Sequence, residues 1–148
     1  MIERLNPEQV AQRLADDPAT VYLDVRSTVE FAQGHVPGAR NVPIMEPDAG
    51  GFMRPNADFQ RVVEAVIPKV ARVIVGCKAG PRSDAAARIL DQMGYDHVAD
   101  MVGGFCGATD ERGQAIVAGW RHFELPVSNE PGSGCLYADM LAKAGSIG

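Results

Sequence analysis

Apolar positions along this chain change period several times, and each change marks an element. Phe59, Val62, Val63 and Val66 recur at the three-and-four spacing of a single helix face. Asn56 before them and Pro68 after them predict the N-cap and the stop. Ala86, Ile89, Leu90 and Met93 repeat that stripe, and Gly94 stands where a helix of this length takes its left-handed C′ residue. Between the two stripes lies Val73-Ile74-Val75-Gly76, whose β-branched content predicts a strand over 72–76. Val21 to Val25 reads the same way, His97 to Val102 predicts a further strand with Gly103-Gly104-Phe105 as its exit turn, and Leu125-Pro126-Val127 predicts an edge strand.

Capping chemistry locates two more helices. Asn6-Pro7-Glu8-Gln9 offers an N-cap, a proline at N1 and a glutamine at N3, with Leu5 stapled to Val10, so a helix should run to about Asp16. Ser27-Thr28-Val29-Glu30 has the same box spacing and predicts a short helix that ends at Gly34. Residues 44–55, with Pro47, Gly50, Gly51 and Pro55, show no period and read as a surface loop whose Phe52 and Arg54 border the site. Residues 106–119 read as an irregular insertion before Trp120. Ser128 to Gly134 is linker-like, and Leu136 to Ala144 predicts a last helix using Leu136, Met140 and Leu141.

Strands alternating with helices predict an α/β domain, with a mostly parallel central sheet of about five strands and helices on both faces. Sheets of this kind carry their sites at the carboxyl ends of the strands. Asp24 and Arg26 close one strand and Cys77 closes another, so they are expected at one rim.

Cys77-Lys78-Ala79-Gly80-Pro81-Arg82-Ser83 joins a strand to a helix, and such a loop turns amides inward at the helix start to form a cradle for an anion. Pro81 lacks an N–H, so the donors are expected from Lys78, Ala79, Gly80, Arg82 and Ser83. Lys69, Arg72, Lys78, Arg82 and Arg88 surround this thiol against only Asp84, although the chain is formally −5. Positive charge and a helix N-terminus favour thiolate, which makes Cys77 the candidate nucleophile.

Composition removes other classes. The acidic balance argues against nucleic acid, because phosphate neutralisation needs a basic face larger than one loop. No apolar run approaches a membrane span, and Met1 to Leu5 lacks a signal peptide's apolar stretch, so the expected location is cytoplasmic. Cys77, Cys106 and Cys135 are too widely spaced for a disulfide framework or a paired zinc site, and no metal or other cofactor is expected.

Taken together, several motifs resemble the rhodanese (sulfurtransferase) family. They are Leu23-Asp24-Val25-Arg26, Glu30-Phe31, Gly34 to Ala39, Asn41-Val42-Pro43, Cys77-x-x-Gly80-x-Arg82-Ser83, Gly94-Tyr95 with Gly103-Gly104, and Trp120 with Leu125-Pro126-Val127. In the compact family pattern the double glycine closely precedes the tryptophan, whereas here residues 106–119 intervene. The resemblance implies a rhodanese-like domain over 1–127, with 128–148 as a C-terminal extension, and a cysteine that carries sulfur as a persulfide. Thiosulfate, glutathione persulfide or a protein persulfide would then be the small anionic donor, and a thiol, cyanide or a protein the acceptor, with ping-pong kinetics.

Lys78 is expected to draw in the donor and Arg82 to take a structural or charge-stabilising role. Asp24, Arg26 and His35 are expected to be structural, Asp24 and Arg26 pairing with each other. Cysteine phosphatases and arsenate reductases use Cys-x5-Arg, but four residues separate Cys77 from Arg82, a ring that suits one sulfur atom. The other class is a non-catalytic module of the same fold that docks a partner or carries sulfur.

Overall fold

Every strand of the central sheet points the same way, because each is returned to the sheet by a helix. The computed structural model describes residues 2–130 and 135–147. In chain order it contains β1 (Ile2–Leu5), α1 (Pro7–Asp16), β2 (Val21–Asp24), α2 (Thr28–Gln33), β3 (Arg40–Asn41), β4 (Met45–Pro47), β5 (Met53–Pro55) and α3 (Phe59–Val66). There follow β6 (Arg72–Gly76), α4 (Pro81–Gln92), β7 (His97–Met101), β8 (Ala108–Thr109), β9 (Ala115–Val117), a 3-10 turn over Trp120–Phe123 and α5 (Tyr137–Ile147). The five-stranded sheet has the order β1-β7-β6-β2-β3, with all four pairings parallel.

Strand side chains alternate between two buried layers, as a period of two requires. Val21, Leu23, Val73, Val75 and Val98 pack with Phe59, Val62, Leu90 and Met140 on one face, and Tyr22, Ile74 and Ala99 pack with Val10, Phe31 and Trp120 on the other. Each fully buried Leu, Val or Phe contributes about 1.5–3 kcal/mol, so both layers are needed to hold the sheet. Both capping boxes form: Asn6 Oδ1 accepts from the Gln9 amide at 2.8 Å, and Ser27 Oγ accepts from Glu30 at 3.3 Å.

Several elements differ from the sequence expectation. β1, not foreseen, is a short edge strand with Glu3 and Arg4 at its centre, and its charges masked the pattern; Arg4 reaches Asp84 and Asp100, each at 2.6 Å. Residues 44–55 form a hairpin, β4 against β5, and residues 106–119 contain a second one, β8 against β9. Asn56 is not the N-cap of α3: its Oδ1 accepts from the Asp58 amide, its Nδ2 donates to Pro43 and to the Tyr137 hydroxyl, and the helix starts at Phe59. Residues 125–127 add no strand to the sheet, and only an isolated bridge joins His35 to Ser128.

The linker-like stretch expected over 128–134 falls in part on residues 131–134, outside the described residues. After it, α5 lies against α3, and Met140 and Ala144 are buried in the same layer as Phe59 and Leu90, so residues beyond 128 supply part of this core. Leu136 sits outside α5 and is partly exposed.

Candidate active site

The carboxyl ends of β2 and β6 are register partners, Asp24 opposite Gly76, so the chain leaves the sheet at Cys77 directly beside Asp24. That approach is close: a Cβ on Gly76 would collide with the Tyr22 phenol, so only glycine fits at this step. From Cys77 the loop turns through Gly80, whose φ of 130° and ψ of −42° lie in a region costly for residues with a Cβ, and Pro81 then opens α4 at N1.

Within this loop the thiol faces inward. Cys77 is buried, 1% exposed. Its Sγ accepts from the Gly80 amide at 3.1 Å and donates to Ser83 Oγ at 3.4 Å, and the Ser83 hydroxyl donates to the Gly80 carbonyl at 3.0 Å. Arg82 and Ser83 carry first-turn amides, which an α-helix leaves without an internal acceptor. Ala79 is half-buried on the loop, and Lys78 is exposed at its rim.

Asp24 and Arg26 form the expected pair. Arg26 Nε lies 3.0 Å from Asp24 Oδ1, one terminal nitrogen 2.7 Å from Oδ2, and that same nitrogen donates to the Gly34 carbonyl at 2.7 Å. The guanidinium carbon stands 4.5 Å from the Phe105 ring centroid. His35 is buried, stacks on Phe31 at 3.8 Å, and its Nδ1 donates to the Phe31 carbonyl at 2.8 Å, since only a protonated nitrogen can bond that oxygen.

Arg82 turns to Glu30 in two hydrogen bonds of 2.7 and 2.9 Å, tying the loop to α2. Burial alone would raise the Glu30 carboxyl, but the hydrogen bonds from Arg82 and from the Ser27 amide outweigh it and bring it down to about 2. The basic stretch expected around the thiol is therefore largely engaged elsewhere. Arg88 pairs with Asp84, Arg72 lies 3.9 Å from Asp17, and Lys69 donates to the Met93 carbonyl. Phe52 and Arg54 do not border the thiol: Phe52 is exposed and Arg54 pairs with Asp48, both on the β4–β5 hairpin.

The wall that sequence reasoning missed comes from residues 104–106. The Phe105 amide donates to the Cys77 carbonyl at 2.7 Å and the Cys106 amide to the Lys78 carbonyl at 2.8 Å. A Cβ on Gly104 would lie 2.6 Å from Lys78 backbone atoms, which explains the second glycine of the pair. The chain then leaves through β8 and β9 and returns: Trp120 donates to the Gly104 carbonyl at 2.9 Å and Arg121 to the Phe105 carbonyl at 3.1 Å. The interposed hairpin is thus pinched at its base, and Trp120 still meets the double glycine. A depression of about 110 Å³ opens here, lined by Arg26, Glu30, Lys78, Phe105, Cys106 and Arg121 among others.

The rhodanese-like domain model matches residues 6–110. This chain belongs to the rhodanese-like family. It is 45% identical over 84 residues to thiosulfate sulfurtransferase 16, chloroplastic, of Arabidopsis thaliana, covering 57% of this chain and 69% of that one. It is 32% identical over 118 residues to a sulfurtransferase of Allochromatium vinosum, covering 80% of this chain and 97% of the relative. The crystal structure of Rv0390 from M. tuberculosis superposes with a TM-score of 0.72 at 27% identity, over 86% of this chain and 98% of that one. The chain spans 52 to 59% of the length of three further plant relatives it matches. Among the described residues no cluster of His, Cys, Asp and Glu could hold a metal ion, and no helix is long and apolar enough to cross a membrane.

Proposed function

We propose that this rhodanese-like chain is a sulfurtransferase that carries sulfane sulfur on Cys77. The observation that carries the reading is the Gly80 amide aimed at Sγ from 3.1 Å, inside a loop with four residues between cysteine and arginine. Relatives named thiosulfate sulfurtransferase support the same class.

In the first half-reaction the Cys77 thiolate attacks the outer sulfur of a donor such as thiosulfate. A new S–S bond forms, the donor's S–S bond breaks, and its electron pair leaves with sulfite. The Gly80 amide donates to the attacking sulfur from 3.1 Å, and one preorganised donor of this kind is worth about 3 kcal/mol in comparable anionic sites. In the second half-reaction cyanide or a thiolate takes the outer sulfur and the Cys77 thiolate departs. With the thiol ionised, the Ser83 hydroxyl can rotate and donate to it.

Incubation with thiosulfate followed by intact-mass measurement tests this. The expected result is a gain of one sulfur atom that cyanide removes and that Cys77→Ala abolishes; no gain, or a gain that survives Cys77→Ala, overturns it. The burial of Cys77 favours a second reading, a non-catalytic module that docks a partner through the same fold. That reading expects no sulfur gain and partner binding unchanged by Cys77→Ser.

A further inference from the structure

We propose that Arg121, with Lys78, receives the anionic group of the sulfur donor at the mouth of the Cys77 loop. The proposal rests on the sulfurtransferase reading and adds a residue from outside the loop. Charge balance carries it. Of the charged side chains lining the depression, Arg26 is neutralised by Asp24 and Glu30 by Arg82. Lys78 and Arg121 remain, both exposed, and among the described residues no carboxylate pairs with either.

Position supports it as well. Two successive hydrogen bonds join Arg121 to the nucleophile's own residue, from its amide to the Phe105 carbonyl and from the Phe105 amide to the Cys77 carbonyl. The Arg121 guanidinium carbon stands 5.8 Å from the centroid of the Phe105 ring, within the range of a cation–π contact, which holds a long side chain at the rim. Larger depressions beside α1 and along Asn56–Arg61, of about 340 and 480 Å³, have no residue of the 77–83 loop on their walls, whereas Lys78 of that loop lines this one.

A dianion of the thiosulfate class fits this arrangement. Its sulfonate sits between the two cations, its outer sulfur points to Cys77, and after the S–S bond breaks the same cations hold the departing sulfite. Planar Arg121 gives the sulfonate two parallel N–H donors, whereas Lys78 supplies a point charge.

Calorimetric titration of thiosulfate into the Cys77→Ser protein, where no turnover intervenes, tests the site directly. With Arg121→Ala added, affinity is expected to fall about tenfold at low salt, with Arg121→Lys between the two and the difference shrinking as salt screens the charges. Unchanged affinity in Arg121→Ala, a loss insensitive to salt, or no binding to the Cys77→Ser parent overturns the proposal. Binding through Arg121 in a protein whose wild-type Cys77 never gains sulfur would instead remove the sulfurtransferase reading and leave the anion site standing.

Discussion

Glu30 and Arg82, 52 positions apart in the chain, close on each other through two hydrogen bonds of 2.7 and 2.9 Å. The pair fastens the start of α4 to α2, so the loop that turns the Cys77 thiol toward Gly80 is braced from outside.

This brace predicts an acid-sensitive contribution to stability. Glu30 has its carboxyl lowered from 4.5 to about 2, because the hydrogen bonds from Arg82 and Ser27 outweigh the opposing effect of burial. Its contribution is therefore full above the unfolded value and is lost as pH falls through the interval from 4.5 to 2. Glu30→Gln should lower stability at neutral pH by about 1–3 kcal/mol and flatten the dependence across that interval. Urea unfolding of both proteins at a series of pH values checks this, and parallel curves would refute it.

Gly80→Ala isolates the loop's backbone. A Cβ there meets nothing within 4 Å, so the penalty comes from the φ of 130° alone, roughly 1–2 kcal/mol. The loop relaxes by turning its amide off Sγ. Sulfur loading from thiosulfate should slow by about a hundredfold while the fold persists, measured by stopped sulfur uptake alongside thermal unfolding.

Gly76→Ala should damage folding instead. Its Cβ would overlap the Tyr22 hydroxyl and come within 2.5 Å of the ring carbon that bears it. A loss of about 1–3 kcal/mol is expected. Tyr22→Phe should relieve only part of it, since that ring carbon remains. Full recovery in the double variant, seen in denaturant melts, would disprove the contact.

Thiol accessibility separates the three cysteines. Cys106 and Cys135 are partly exposed and Cys77 is buried. A bulky maleimide should label Cys106 and Cys135 in the native protein and Cys77 only in denaturant, as peptide mapping would report. Early labelling of Cys77 would contradict its packing.

Local signals in the chain were enough for the elements that build the rim. The boxes Asn6–Gln9 and Ser27–Glu30, the β-branched run before Cys77 and the proline at N1 of α4 each act within a few residues, where propensity and capping decide conformation. Elements whose stability comes from partners were misread. β1 holds because β7 pairs with it, and both hairpins hold because their strands pair across turns closed by the Gly51 amide on Asp48 and the Gly113 amide on Asp110, not through apolar periodicity.

The order of motifs along the chain determined the parallel α/β domain and the loop from Cys77 to Ser83, since strand, turn and helix follow from neighbouring residues. Only the tertiary structure decided which charges line the depression beside the loop. Arg82 was withdrawn to Glu30 and Arg88 to Asp84, while Arg121 was brought in from beyond the β8–β9 hairpin. Charges act through space over a few ångströms, and the backbone hydrogen bonds from Phe105 to Cys77 and from Cys106 to Lys78 set that space, so residues distant in sequence become the neighbours that matter.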